Sequence, residues 1–321
     1  MKKWSRGLLF CFLGFLVLSA CQPPKYSPDN SYRKENFFPL PKELNGSGAF
    51  LVLEWNGRTP QILASGSLVD KKTGLIRTAK HFTDAFGQGG VNYCRVFLMN
   101  GRVYKAVLAR VPPIRDAALI ELVPPFFPDE LPEPLPLAKK MPAVGEKIFI
   151  RGFHPHPYQV RQENKEEGFP DREIDIFKTY YGRAVTDLSQ ESEVVFDNLE
   201  AVVVKPDPEA VRRIPWLTDL EKQAALEYEN DRYIKVITVR DHKFSFGGLS
   251  GGLAVNQDEE VFGVITAQDP FKFEIDDHGF FIFPEIQLKV VKQQFWDTIY
   301  ITPIDSITDL DDYAKKRLPL K

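Results

Sequence analysis

Three side chains able to share one proton are spread along the chain. His81 lies near the end of 74-GLIRTAKHF-82, Asp116 near the start of 115-RDAALIEL-122, and Ser250 inside 244-FSFGGLSGGLAV-255. A serine hydroxyl is a weak nucleophile near neutral pH. A hydrogen-bonded imidazole can take its proton during attack, and a carboxylate behind the ring fixes the tautomer. Each residue also has a plainer reading. GGLSGG alone is a glycine-rich turn with a passenger serine. His81 alone is a half-buried packing histidine, and Asp116 alone is an acid at a strand end. Their joint occurrence, each beside an apolar strand and in the order His, Asp, Ser, is what points to nucleophilic catalysis.

Short strands must position these residues. From about Gly46 apolar segments recur: AFLVLEW, QILASGSLV, GLIRTA, RVFLM, VYKAVLARV and AALIELV. The turns Asn56-Gly57, Thr73-Gly74 and Asn100-Gly101 separate them, as in an antiparallel barrel or sandwich. The 25 prolines and 21 glycines fit many strands joined by turns. With 43% apolar residues the chain can bury a sizeable core. A proline-dense bridge over 124–137 divides two halves, and strand texture resumes at EKIFIRGF. Between 163 and 235 the pattern weakens and reads as a partly helical insertion. In it WLTDLEKQAALEYEND has the texture of a surface helix. Residues 306–321 read as a tail, and no internal repeat is visible.

Strand-Thr-Ala-x-His, Asp-x-Ala-Leu and Gly-x-Ser-Gly-Gly together resemble the three signatures of trypsin-like serine proteases. The missing disulfides and the leader described below point to the bacterial HtrA-like branch. The likeness spans roughly residues 46–305. Further local matches are Ser65-Gly66-Ser67-Leu68-Val69 before the histidine and Val144-Gly145-Glu146 with Gly152 opening the second half. Tyr181-Gly182-Arg183-Ala184-Val185 matches the next strand, and Glu260-Val261-Phe262-Gly263-Val264 the strand lining the cleft. The resemblance implies an all-β fold of two antiparallel six-stranded β-barrels, chymotrypsin-like, with the insertion in the second. It implies a peptide substrate cleaved through an acyl-enzyme, with Ser250 as nucleophile, His81 as base and Asp116 as orienting carboxylate. Backbone N–H groups of Gly248 and Ser250 would form the oxyanion hole. Losing one such donor typically costs about 2.7–4 kcal/mol of barrier. The pocket candidates are Lys243, Phe244, Ser245, Ile265, Thr266 and Ala267. They include no acid, which disfavours a preference for basic side chains and favours small to medium apolar ones.

The chain departs from the family at Leu249, where a polar residue is usual. That departure, with the large insertion, supports an alternative: a non-catalytic binding module on a protease scaffold, with the insertion at 163–235 as a partner surface. No segment resembling a PDZ domain is expected after residue 304. Gly-x-Ser-x-Gly also fits the nucleophile elbow of α/β-hydrolases. That elbow needs a helix after the serine and an acid and histidine downstream. Here LAVNQDEEVFGVITA reads as strand–turn–strand, and only His278 follows.

MKKWSRG carries Lys2, Lys3 and Arg6, and LLFCFLGFLVLSA follows as an apolar run. This is the anatomy of a secretory leader, shorter than the roughly 20 apolar residues of a spanning helix. Leu18-Ser19-Ala20-Cys21 resembles the lipobox of bacterial lipoproteins. It implies removal of residues 1–20, a lipid on Cys21, a tether over 21–45 and membrane attachment. Gln22 after the cysteine favours the outer membrane, facing the periplasm. Loss of the three leader cations takes the net charge from -3 to -6, which gives no reason to expect nucleic acid. Cys94 is left without a partner for an internal disulfide. No cofactor is expected. His154-Pro155-His156-Pro157 reads as a solvated loop and not a metal site, because no cysteine pair or acidic cluster accompanies it.

Overall fold

The computed structural model describes residues 46–304 apart from 56–58, 100, 112–114, 169–192, 213–217, 221, 224–225, 227–231, 241–245 and 269–297. The first six strands are β1 (Gly48–Trp55), β2 (Thr59–Asp70), β3 (Leu75–Thr78), β4 (Cys94–Leu98), β5 (Val103–Arg110) and β6 (Ala118–Leu122). They close into an antiparallel barrel in the order β1-β2-β3-β6-β5-β4. The second six are β7 (Lys147–His156), β8 (Glu193–Val204), β9 (Ile234–Thr238), β10 (Leu253–Val255), β11 (Val261–Gln268) and β12 (Thr298–Pro303). They close in the order β10-β11-β12-β9-β8-β7. Counted afresh from β7, the second barrel has the connectivity of the first. Closure leaves no unpaired sheet edge in either barrel. This is the chymotrypsin-like double barrel.

Strand alternation explains how the barrels dock. Ala49, Leu51 and Leu53 of β1 point into the first barrel. The intervening Phe50 and Val52 point outward and pack with Phe153, Val194 and Phe196 of the second. The Phe50 and Phe153 rings lie 5.8 Å apart, and the Phe153 and Phe196 rings 4.9 Å apart. Each such ring pair contributes about 0.5–1.5 kcal/mol beyond its buried area. This aromatic seam fixes one barrel against the other, so a site built from both is held by packing.

The proline-dense stretch lies in the connection from β6 to β7. It contains a 3₁₀ turn at Pro128–Glu130, and Leu137 bridges to Val261 of β11. The expectation of one long insertion over 163–235 is corrected. A full barrel strand, β8, lies inside that range and pairs with β7 from Lys147↔Val202 to His156↔Glu193. Its apolar ends, VVF and AVVV, are interrupted by DNLE, which hides the strand pattern. Among the described residues, the helix before it is α2 (Tyr158–Glu166) and the helix after it is α3 (Pro208–Arg212). The described residues 219, 220, 222, 223 and 226 are helical, and Leu220 is exposed, as befits a surface helix. The stretch 181–185, read from sequence as a strand, lies outside the described residues, as do 1–45 and the tail 306–321.

Candidate active site

His81 and Asp116 meet because their strands are neighbours. β3 pairs with β6, with Thr78 opposite Ala118. His81 follows β3 on the short helix α1 (Lys80–Thr83), and Asp116 lies two residues before the start of β6. Both therefore leave the sheet at the same end. Asp116 Oδ2 lies 2.8 Å from His81 Nδ1, and Oδ1 accepts the His81 backbone N–H at 2.9 Å. Two contacts to one carboxylate fix both the ring and the backbone beneath it. A ring donating from Nδ1 presents Nε2 as a proton acceptor. The His81 side chain is 50% exposed and Asp116 only 17%. Partial burial alone would lower the His81 pKa. The hydrogen bond and negative charge of Asp116, with help from Asp84, outweigh it and hold the imidazole above its usual 6.5.

Ser250 arrives from the second barrel. Its turn is anchored by Leu249, which is fully buried in the core of that barrel beside Phe246, Ile265 and Ile301. The residue that departs from the family pattern is thus the turn's apolar anchor. Leu249 N–H donates to Phe246 O, and Gly252 N–H to Leu249 O. Gly248 and Gly251 both have positive φ, at 99° and 86°. A Cβ on Gly251 would lie 2.7 Å from Ala79 N and collide with Ser65 O and Thr78 Oγ1. Only glycine lets the turn close on the first barrel just before His81. Ser65 N–H completes the crossing by donating to Ser250 O at 2.8 Å. Among the described residues, the N–H groups of Gly248 and Ser250 have no acceptor.

The Ser250 hydroxyl donates to Thr266 O at 3.3 Å and makes no hydrogen bond to His81. The register of β11 explains why that carbonyl is available. Ile265 pairs with Ile301 and Ala267 with Tyr300, so Thr266 is the extra residue of a bulge.

Comparisons with known proteins add little at the level of residues. No family model matches the chain, and no curated protein matches it. Among solved structures it is similar to a serine endoprotease from Yersinia pestis, at 15% identity and a TM-score of 0.44. The match covers 84% of this chain and 62% of that one, so this chain spans less than two thirds of that protein's length. The protease-like fold stands on the strand order of the two barrels.

The expected pocket residues fall only in part among the described ones. Lys243, Phe244 and Ser245 lie outside them, and only the backbone of Ala267 is described. Ile265 and Thr266 are corrected. Ile265 belongs to the second-barrel core, and the Thr266 hydroxyl is buried against the Thr302 hydroxyl. Thr302 lies opposite Val264 in the register, so Ile265 and the Thr266 hydroxyl are buried on opposite faces of β11, and Thr266 meets Ser250 with its carbonyl.

The reading of His154 and His156 as loop residues is also corrected. Both lie on β7, where the intervening Pro155 puts them two apart and so on one face. Their exposures are 0% and 3%. Asp197 of β8, opposite Gly152 in the register, reaches the same face. Asp197 Oδ2 lies 2.8 Å from His156 Nε2 and also contacts His154 Nε2, while the two Nε2 atoms are 2.9 Å apart. Burial would raise the Asp197 carboxyl, but the adjacent His156 and His154 overcome this and hold it well below the usual carboxylate range.

Two further contributors carry little sequence signal. One is Asp197, which lies in the segment read as insertion. The other is Ser65, whose Oγ accepts the Phe153 N–H at 2.7 Å and lies 2.9 Å from Gly248 O and 3.1 Å from Phe153 O. Ser65 thereby braces the Ser250 turn against both barrels. Its place in Ser-Gly-Ser at the end of an apolar strand is a signal for position, not for this role.

Proposed function

We propose that the protein is a serine endopeptidase of the bacterial cell envelope, held to the membrane by a lipid on Cys21. The observation carrying the peptidase reading is the His81 Nδ1–Asp116 Oδ2 contact of 2.8 Å beside a serine turn with two uncommitted N–H groups; the envelope and the lipid rest on the leader and the Leu18–Cys21 motif of the sequence. In the reaction Ser250 Oγ leaves Thr266 O by rotation about χ1 and attacks the scissile carbonyl carbon. His81 Nε2 takes the hydroxyl proton, and Asp116 stabilises the resulting imidazolium. The carbonyl oxygen becomes an oxyanion received by the N–H groups of Gly248 and Ser250. His81 then protonates the departing amine, leaving an acyl ester on Ser250. A water molecule, deprotonated by the same imidazole, cleaves that ester and restores the hydroxyl.

Labelling with a fluorophosphonate tests this. The folded full chain should become modified at Ser250, and Ser250→Ala should not. A folded wild-type protein that stays unlabelled would remove the catalytic reading.

A second reading has one observation in its favour. The Ser250 hydroxyl is engaged by Thr266 O and not by His81, as suits a binding module of the envelope on a protease scaffold. On that reading the label is ignored, and Ser250→Ala still complements a strain lacking the protein.

A further inference from the structure

Beneath the serine turn, His154, His156 and Asp197 bring three ligand atoms within 4.8 Å of one another. Hydrogen bonding alone accounts poorly for this triangle. An ionised carboxylate oxygen only accepts, so each Nε2 facing it must carry a proton. Two N–H donors then confront each other across 2.9 Å. If one proton instead bridges the nitrogens, one imidazole faces the carboxylate as a second acceptor. A cation at the centre replaces all three contacts with attractive ones.

We propose that His154, His156 and Asp197 form a binding site for a divalent transition-metal ion of the zinc class. Two imidazole nitrogens and one carboxylate oxygen are a ligand set that such ions take, with a further position open to water or to a fourth side chain. Glu193 is placed for that position by register, opposite His156 on the same face of the β7–β8 ladder. A tetrahedral ion with bonds of about 2.0–2.1 Å holds its ligand atoms roughly 3.3 Å apart. The separations of 2.8 and 2.9 Å therefore need to open by about 0.5 Å, and the shorter His154 Nε2–Asp197 Oδ2 contact by more, a shift shared between ring and carboxylate rotation. The ligands come from two adjacent strands of a closed barrel, and both histidines are buried, so little ordering is left for the ion to impose.

The position gives the ion a structural consequence. A Cβ on Gly248 would lie 3.1 Å from His154 Cα and from Phe153 O. The turn carrying Ser250 therefore rests on the stretch of β7 that the ion would clamp to β8.

The test uses the full chain, stripped with a chelator and titrated with Zn²⁺ alone and with Co²⁺ alone. Zinc should bind at one equivalent per chain, measured by equilibrium dialysis with elemental analysis, and should raise the melting temperature. His156→Gln and the near-isosteric Asp197→Asn should each lose about tenfold or more in affinity, as disturbed ligand sets do. Neither melting temperature should respond to zinc. His81→Ala should bind as the wild type does, which separates this site from the other imidazole–carboxylate pair. The wild-type cobalt protein, which needs no variant to fold, should show visible d–d absorption without a thiolate charge-transfer band. Binding well below one equivalent, unchanged affinity in folded His156→Gln and Asp197→Asn, or a thiolate band placing the metal on a cysteine would each overturn the site. None of these measurements uses hydrolysis, so the metal site stands or falls apart from the protease reading.

Discussion

One imidazole–carboxylate grouping reaches the Gly248–Gly251 turn from the first barrel and another from the second. His81 and Asp116 approach it through Thr78 and Ala79, against Gly251; His154, with His156 and Asp197, lies against Gly248. The first has one ring, half exposed, held by two contacts to one carboxylate. The second has two rings, buried, crowded on one carboxylate oxygen. Solvent at His81 can relax a charge that comes and goes during a reaction. At His154 the charge must be balanced in place, because burying an uncompensated charge is costly. The same residue types thus suit proton transfer in one place and a permanently occupied centre in the other, with burial deciding between them.

The largest effect expected on this contrast is at Asp116. Asp116→Asn keeps the shape but lets the ring face its partner with the wrong tautomer, which in a Ser-His-Asp arrangement costs about 10⁴-fold in turnover. Measured as the rate of fluorophosphonate labelling or peptide hydrolysis, the loss should come with little change in melting temperature, because the pair is partly solvated. A variant as reactive as wild type would make the His81–Asp116 contact a structural one, and the contrast between the groupings would vanish.

Ser65→Ala is the intermediate case, because Ser65 belongs to neither grouping yet touches both supports of the turn. Its Oγ accepts from Phe153 N–H, next to His154, and lies within hydrogen-bond distance of Gly248 O. Removing it strands a buried donor, at a cost of about 1–3 kcal/mol by urea unfolding. Labelling at Ser250 should slow in addition, since the turn loses its brace. Unchanged stability and unchanged labelling together would show that Leu249 alone holds the turn.

The fold and the first grouping were legible for a shared reason: short apolar strands separated by glycine turns carry a local signal, and His81 and Asp116 each sit at the end of one. The two barrels follow from that pattern, and the nearness of β3 to β6 follows from closure. The second grouping was hidden because its members are read in two different contexts. His154-Pro155-His156 looks like a turn until the strand is known to continue through it, after which a period of two places both rings on one face. Asp197 sits in the polar centre of VVFDNLEAVVV, so β8 itself passes for part of an insertion. The bulge at Thr266 was equally silent. One extra residue on β11 leaves the Thr266 carbonyl to Ser250 in place of the ladder, and no composition encodes it.

The smallest effect is the pH response, and it separates the two roles of His81. Asp116 holds the folded imidazole above its ordinary pKa of 6.5. The protonated ring is therefore favoured by folding. Its contribution to stability is fully present below pH 6.5 and is lost as pH rises through the raised folded value. Activity has the opposite sign, because the base must be neutral to accept the Ser250 proton. The rate of labelling should climb over the interval in which the His81 contribution to stability fades, with a midpoint above 6.5. Asp116→Asn removes the Asp116 charge and leaves only the weaker Asp84 to raise the ring, so the midpoint of its residual activity should fall. A wild-type profile centred below 6.5, or one that Asp116→Asn leaves in place, would mean that another group controls the reaction. His81 is half exposed, so the stability limb should be shallow and best read by NMR titration of its ring alongside the labelling rate.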